Sequence, residues 1–325
     1  MTSTMRAAQR REYGPPESVV SVADAPVPEV ADDEVLVQVH AAGVDRGALH
    51  LVEGTPYALR LVFGIRRPKQ PGIGLDLAGR VVAVGAAATR FSVGDEVCGI
   101  GRAAFAEFAA APQHKLIAKP AGLSFTEAAA LPVSGVTALQ AVQDGARVAP
   151  GERVLVLGAS GGVGSYTVQL AEAAGATVGA TCSPAKSQAV QDLGADEVYP
   201  HGFDALPHGV FDVVLAIGGN LSVRQLCALA TPRGRVVVVG GEGGGQLFGV
   251  GRQLRAVARN VVVRQRLSML VASESGEDLQ RLADLVVAGA VRPLVGAQHP
   301  LDGAAAALAD LAAGRVTGKS VLVVR

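Results

Sequence analysis

Apolar positions follow two different rhythms along this chain, and the change between them falls near residue 123. Up to about Gly122 they come in short alternating or continuous runs, such as Glu34-Val35-Leu36-Val37-Gln38-Val39 and Gly79-Arg80-Val81-Val82-Ala83-Val84-Gly85, bounded by Gly, Pro and Asp. Runs of that length predict short strands and a β-rich, partly barrel-like half. Ser124-Phe125-Thr126-Glu127 then has the form of a capping box ahead of an Ala-rich helix, and a second helix is expected from Pro132 to Gln143.

From Arg153 onward, short apolar strands at 153–157, 177–181, 196–200, 211–217 and 235–241 alternate with helical segments at 161–175 and 184–194. Strands buried on both faces read as near-continuous apolar runs, and helical crossovers between them give a parallel, doubly wound sheet. A sixth strand is expected at Val261 to Arg266, then amphipathic helices at Gly276 to Ala288 and Leu301 to Ala313. The closing run Lys319 to Val324 is a strand able to return to the first half. The expected architecture is α/β: a Rossmann unit at 123–267 inserted in a β-rich substrate domain formed by 1–122 and 268–325.

The local signal richest in chemistry is Leu157-Gly158-Ala159-Ser160-Gly161-Gly162-Val163-Gly164, directly after an apolar strand and directly before a helix. That is the context of a dinucleotide fingerprint, with Ala159 in place of the first glycine. Small residues let the backbone approach a pyrophosphate, and the following helix aims its N-terminal amides at the anion. Ser160, Gly161, Gly162, Val163 and Gly164 are therefore the candidate phosphate-cradling residues.

An NAD enzyme places Asp or Glu about 20 residues further on, against the ribose 2′-hydroxyl. Here that strand ends Ala180-Thr181-Cys182-Ser183, without a carboxylate, and Lys186 follows on the same turn. A hydroxyl and an ammonium there favour the 2′-phosphate of NADPH, although Ser183 and Pro184 also suit the start of a helix.

Charge narrows the partners. The 325 residues carry 29 basic and 29 acidic side chains, so no net field recruits nucleic acid, an anionic membrane or a highly charged substrate. A small uncharged electrophile is the expected substrate. The basic groups Arg66-Arg67-Pro68-Lys69 and Arg252, Arg255, Arg259 are read as solvated surface. Cys98, Cys182 and Cys227 are scattered and form no C-x-x-C pair, which suits reduced thiols in a cytoplasmic protein. The opening segment has no signal-peptide run, and nowhere do 18 apolar residues follow one another.

Taken together, Gly74-Leu75-Asp76-Leu77-Ala78-Gly79, Phe91-Ser92-Val93-Gly94-Asp95-Glu96-Val97, the segment 123–142 and the segment 158–178 resemble the zinc-free quinone oxidoreductases of the medium-chain dehydrogenase/reductases. The likeness runs over nearly the whole chain. It implies a GroES-like, barrel-like substrate domain, a Rossmann cofactor domain, a cleft between them, and a homodimer through the last Rossmann strand, here Asn260 to Arg266. It also implies that Val133 and Thr137 lie near the nicotinamide, with Ile217 and Gly218 after the fourth strand and Gly240 and Gly241 after the fifth. Leu267 and Ser268 would line the nicotinamide end, with Tyr199 and Lys319 also at the cofactor.

Zinc-dependent relatives carry Gly-His-Glu where this chain has Gly74-Leu75-Asp76, and a cysteine at the Gly43-Val44-Asp45 turn. The four closely spaced cysteines of a structural zinc lobe are missing as well, so no bound metal is expected. Without a metal, the easier chemistry is hydride delivery from NADPH to a carbon already electrophilic, a quinone or the β-carbon of an enone. Asp45, His50 and Tyr57 are the candidate proton-handling residues. The family often has asparagine where Asp45 stands, and an ionised Asp45 cannot donate, so loop capping is the competing role. The alternatives are a specialised secondary-metabolite reductase of the same fold and a non-catalytic NADPH-binding or RNA-associated protein.

Overall fold

The computed structural model describes residues 4–239 and 264–324. The chain forms two compact units, one made of Met1–Val136, Glu274–Val287 and Pro293–Arg325, the other of Thr137–Ser273 and Ala288–Arg292.

In the first unit the strands in chain order are β1 (Thr4–Arg10), β2 (Val20–Pro26), β3 (Glu34–Val44), β4 (Asp76–Val84), β5 (Glu96–Ile100), β6 (Phe108–Pro112) and β7 (Leu116–Ala118). In the second they are β8 (Arg153–Leu157), β9 (Thr177–Thr181), β10 (Glu197–Tyr199), β11 (Phe211–Ala216), β12 (Ala230–Val239) and β13 (Arg266–Leu270). The chain then returns to the first unit with β14 (Val295–Pro300) and β15 (Lys319–Val323).

β3 organises the first unit. Its eleven residues share one edge in succession, β6 pairing with Glu34 to Gln38 and β15 with Ala41 to Val44, while β4 runs along the other edge. One strand serving three partners curls the sheet, whose order is β14-β15-β3-β4-β5-β7. Its core includes Val35, Val37, Val39, Leu77, Val81, Val97, Phe105 and Leu116. The Ser124 capping box forms as expected: the Ser124 hydroxyl accepts from the Glu127 amide and the Glu127 carboxylate accepts from the Ser124 amide. Its helix, Phe125–Ala129, packs on β3 and β4, so residues 123–136 fall in the first unit, while the expected boundary stood at 122.

The second unit is a parallel sheet in the order β10-β9-β8-β11-β12-β13 among the described residues, the 3-2-1-4-5-6 order of a Rossmann fold. Leu155, Val214, Val236 and Leu267 come from four of its strands into one core with Phe211 and Leu226. The sixth strand was expected at Val261 to Arg266, of which only residues 264–266 are described. The described strand starts at Arg266, with Arg235 opposite Arg266 and Val239 opposite Leu270, while residues 261–263 lie outside the described set. The helix expected from Pro132 to Gln143 divides into an α-helix, Pro132–Leu139, and a wider π-helical turn, Gln140–Ala146.

Candidate functional site

The phosphate loop is built where β8 ends. Gly158 turns the chain with φ +82°, a conformation that side chains disfavour, and its amide donates to the Thr181 hydroxyl on β9 at 3.1 Å. Helix Gly162–Ala173 follows, with Gly161 as an extended N-cap that makes no side-chain capping bond. The first amides of a helix lack intrahelical acceptors, so this end presents donors and a positive dipole to an anion. Gly164 cannot be larger, because a Cβ there would run into the Gly158 carbonyl oxygen and lie 2.8 Å from the Ala159 Cα. Ile217 and Gly218 follow β11, and both of their amides donate to the Leu157 carbonyl, at 3.2 and 3.0 Å. The predicted residues 160–164, 217 and 218 therefore share the C-terminal edge of one sheet, whereas Gly240 and Gly241 lie outside the described residues.

Beyond β9, Ser183 accepts the Lys186 amide through its carbonyl at 2.9 Å, closing a short turn on which both side chains are half-buried. Burial lowers the Lys186 pKa, with Cys182 opposing the shift, so the ammonium sits where an added anion would be welcome. Tyr199 pairs with Thr181 at the neighbouring strand end. Its side chain, however, is directed back along β10: the ring borders Gly179 and the hydroxyl donates to the Glu197 carboxylate, and burial together with that bond pushes its pKa up to about 12. The structure gives Tyr199 this partner in its own strand, not an open hydroxyl beside Ser183 and Lys186.

Leu267 and Ser268 lie at mid-sheet, opposite Val236 and Val237, and Leu267 is in the core. The resemblance puts them at the nicotinamide end; the strand begins at Arg266, and its C-terminal residues are Met269 and Leu270.

The first unit holds a buried polar cluster that the fingerprint search does not reveal. Asp76, the first residue of β4, is fully buried. It accepts the Val133 amide through Oδ1 at 2.9 Å and the Lys319 ammonium through Oδ2 at 3.0 Å. Lys319, expected at the cofactor, is a 1 % exposed partner of this carboxylate. A buried carboxylate needs a counter-charge and hydrogen bonds, and Lys319 with Val133 supplies both. Burial raises the Asp76 pKa to about 7; Asp45 adds to the rise, and Lys319 and the Val133 amide oppose it.

Asp45 caps helix Arg46–Glu53, its Oδ1 taking the Ala48 amide at 2.9 Å, while its Oδ2 is buried without a hydrogen-bond partner. The capping role is therefore real, and the carboxylate also lies within electrostatic range of Asp76. His50 is half-buried on the same helix, where its carbonyl takes the Gly54 amide at 2.8 Å. Tyr57, 40 % exposed, stacks under the Arg60 guanidinium, which also lies over Tyr13. Val133 and Thr137 are four residues apart on helix Pro132–Leu139. The spacing signal missed Thr181, which holds the loop, and the Asp76–Lys319 pair. The only cue to the pair was a carboxylate inside the otherwise small and apolar run 74–79.

A Rossmann sheet with a glycine turn at its phosphate edge, together with a curled GroES-like sheet unit in the same chain, defines a nicotinamide-dependent oxidoreductase of the medium-chain dehydrogenase/reductase class. Comparison with known proteins agrees. Residues 31–121 match the model of the alcohol dehydrogenase GroES-like domain, and residues 193–322 match a model described as zinc-binding dehydrogenase. The chain is 31% identical to a quinone oxidoreductase of Homo sapiens over 98% of both chains. It superposes on the quinone oxidoreductase of Coxiella burnetii with a TM-score of 0.84 at 29% identity, covering 99% of this chain and 100% of that one. A mycobacterial protein solved with NADPH superposes at 0.81, with 26% identity over 98% of this chain and 100% of the other. The chain belongs to the quinone oxidoreductase-like family of medium-chain dehydrogenase/reductases.

Proposed function

We propose that this oxidoreductase uses NADPH, without zinc, to reduce a quinone or an α,β-unsaturated carbonyl. The observation that carries the reading is the pairing of a glycine-lined phosphate turn, Gly158 to Gly164, with a strand end that offers Ser183 and Lys186 and no carboxylate. The turn and the helix behind it suit the pyrophosphate, and Lys186 with Ser183 suits the 2′-phosphate. Bound NADPH supplies a hydride to an electrophilic carbon. The protein's part is to hold that carbon in line, exclude water and handle one proton, for which Asp45, His50 and Tyr57 are the proposed groups, with solvent as the alternative source.

The residues do not fit a zinc ion. Leu75 has no donor where zinc-dependent relatives carry histidine, and both oxygens of Asp76 are taken by Val133 and Lys319. Cys98 is fully buried with its thiol pushed up to about 12, the opposite of a ligating thiolate. The substrate in this reading is small and uncharged, and the active form is a homodimer built on the outer strand of the Rossmann sheet. Among the described residues that edge strand is β13, and no helix among them is long and apolar enough to cross a membrane.

The test is a steady-state assay of the purified, metal-stripped protein with NADPH against a panel of quinones and enones. The expected result is acceptor-dependent oxidation that added chelator leaves unchanged. NADPH oxidation absent with every acceptor, or abolished by chelator and restored by zinc, would overturn the reading.

A further inference from the structure

At the start of β12 and β13, the opposite edge of the sheet from the phosphate turn, four arginines line one hollow. Arg235 and Arg266 stand directly opposite each other in the parallel pair. Arg233 and Arg264 lie two residues earlier in each chain segment, Arg264 in the bend that leads into β13. All four line a single cavity of about 320 Å³.

Such an arrangement is unfavourable by itself. Like charges directly opposite on neighbouring strands repel, and guanidinium groups do not lose their proton to relieve it. Among the described residues, the cluster's ion-pair partner is Glu152, whose Oε2 lies 2.5 Å from an Arg235 nitrogen and also accepts the Ala149 amide. On the neighbouring strand β11, the Asp212 carboxylate takes the Arg153 amide at 3.0 Å. The Arg235 Nε is buried with no hydrogen-bond partner. Four guanidiniums against one carboxylate leave three positive charges around one hollow.

We propose that this cavity is a binding site for a diphosphate or triphosphate group. Adjacent strands are about 4.8 Å apart, so Arg235 and Arg266 start side by side, and Arg233 and Arg264 line the same cavity. An anion filling it must carry several charges, as linked phosphates do and a lone carboxylate does not. The planar guanidinium fork also matches phosphate oxygens in pairs. The site does not depend on the cofactor reading, since it lies at the other end of the strands and shares no residue with Gly158 to Gly164 or with Ser183 and Lys186.

The experiment is calorimetric titration of the full chain with pyrophosphate, ATP, orthophosphate and citrate, in the absence of NADPH and again in its presence at saturation. Each titration is repeated with the variant Arg264→Gln/Arg266→Gln, whose two sites are exposed in the single chain and whose folding and oligomeric state are checked by its melting curve and by light scattering. The wild type is expected to bind pyrophosphate or ATP in both states at least tenfold more tightly than orthophosphate or citrate, and the double variant to bind them at least tenfold more weakly. Equal affinity for pyrophosphate and ATP identifies the phosphates alone as the ligand; tighter ATP binding identifies a nucleotide. Binding that NADPH displaces, that the variant retains, or that orthophosphate and citrate reproduce overturns the proposal, as does no binding at all. The comparison with the variant reads this cavity even if NADPH fails to bind, because the cofactor turn is unaltered in both proteins.

Discussion

Replacing Lys319 with methionine is expected to destabilise the folded protein above pH 7, where Asp76 is ionised, by up to about 3–5 kcal/mol, the cost of leaving a buried charge without its partner. Asp76 would keep the Val133 amide but lose the ammonium at 3.0 Å, in a place where neither residue reaches water. Asp76→Asn combined with Lys319→Met is expected to recover most of that loss, since the carboxamide still accepts from Val133 and no charge is left buried. Denaturant midpoints of the two variants and the wild type measure this directly. A Lys319→Met protein within about 1 kcal/mol of wild type, the scale of an exposed ion pair, would show that the pair is solvent-screened.

The same cluster gives stability a dependence on pH whose sign follows from the Asp76 shift. Its folded pKa, about 7, lies above the ordinary 3.8, so between those values the folded state holds a proton that the unfolded state has released. Stability contributed by this group is therefore greatest below about pH 4 and declines as pH rises toward 7. Relative to Asp76→Asn, the wild type is expected to lose melting temperature across that interval. The penalty of Lys319→Met is expected to grow above pH 7, where Asp76 ionises in the wild type beside Lys319 but holds its proton in the variant. A gain of wild-type stability relative to Asp76→Asn between pH 4 and 7 would contradict the assignment.

The second large effect is at the phosphate turn. Gly164→Ala is expected to cost about 1–3 kcal/mol of stability through overpacking and to weaken dinucleotide binding on the order of a hundredfold, because the added Cβ forces the helix start away from Gly158 and Ala159. Gly161→Ala separates the two effects. Its Cβ would lie 3.7 Å from the Gly158 oxygen, an ordinary contact, and its φ of −85° accepts alanine. That variant should melt close to wild type and lose affinity only to the extent that the ligand's phosphates come close to the residue. Melting curves with and without dinucleotide distinguish them; a Gly164→Ala protein as stable and as tight as wild type would remove the close-packing argument.

What could be read from the chain depended on how local the cause was. The turn at 157–164 was legible because its glycines serve contacts within one strand-turn-helix unit, and the Ser124 box because it closes over three residues. Asp76 and Lys319 are 243 residues apart. They meet because β15 and β4 flank β3, each beginning beside its C-terminal half, an arrangement set by sheet order and not by any spacing in the sequence. Two apolar runs stand side by side at 261–263 and 267–271, and periodicity alone cannot choose between them; among the described residues the later run pairs with β12, and Leu267 enters the core with Val214 and Val236. Tyr199 and Lys319 were expected at the cofactor from resemblance alone, which says where a residue stands in the chain but not which way its side chain is drawn by a neighbouring charge.

The central claim, that the end of β9 reads a 2′-phosphate, is tested most directly by titrating the protein with NADPH and NADH in parallel by nicotinamide fluorescence, then repeating both with Lys186→Ala. Loss of one charge-assisted contact to phosphate is worth about 1.5–3 kcal/mol, roughly ten- to a hundredfold in affinity. The account predicts at least tenfold tighter binding of NADPH by the wild type, and a variant that loses most of that preference while holding NADH unchanged. Equal affinity for the two dinucleotides, or a preference that survives the substitution, would contradict it.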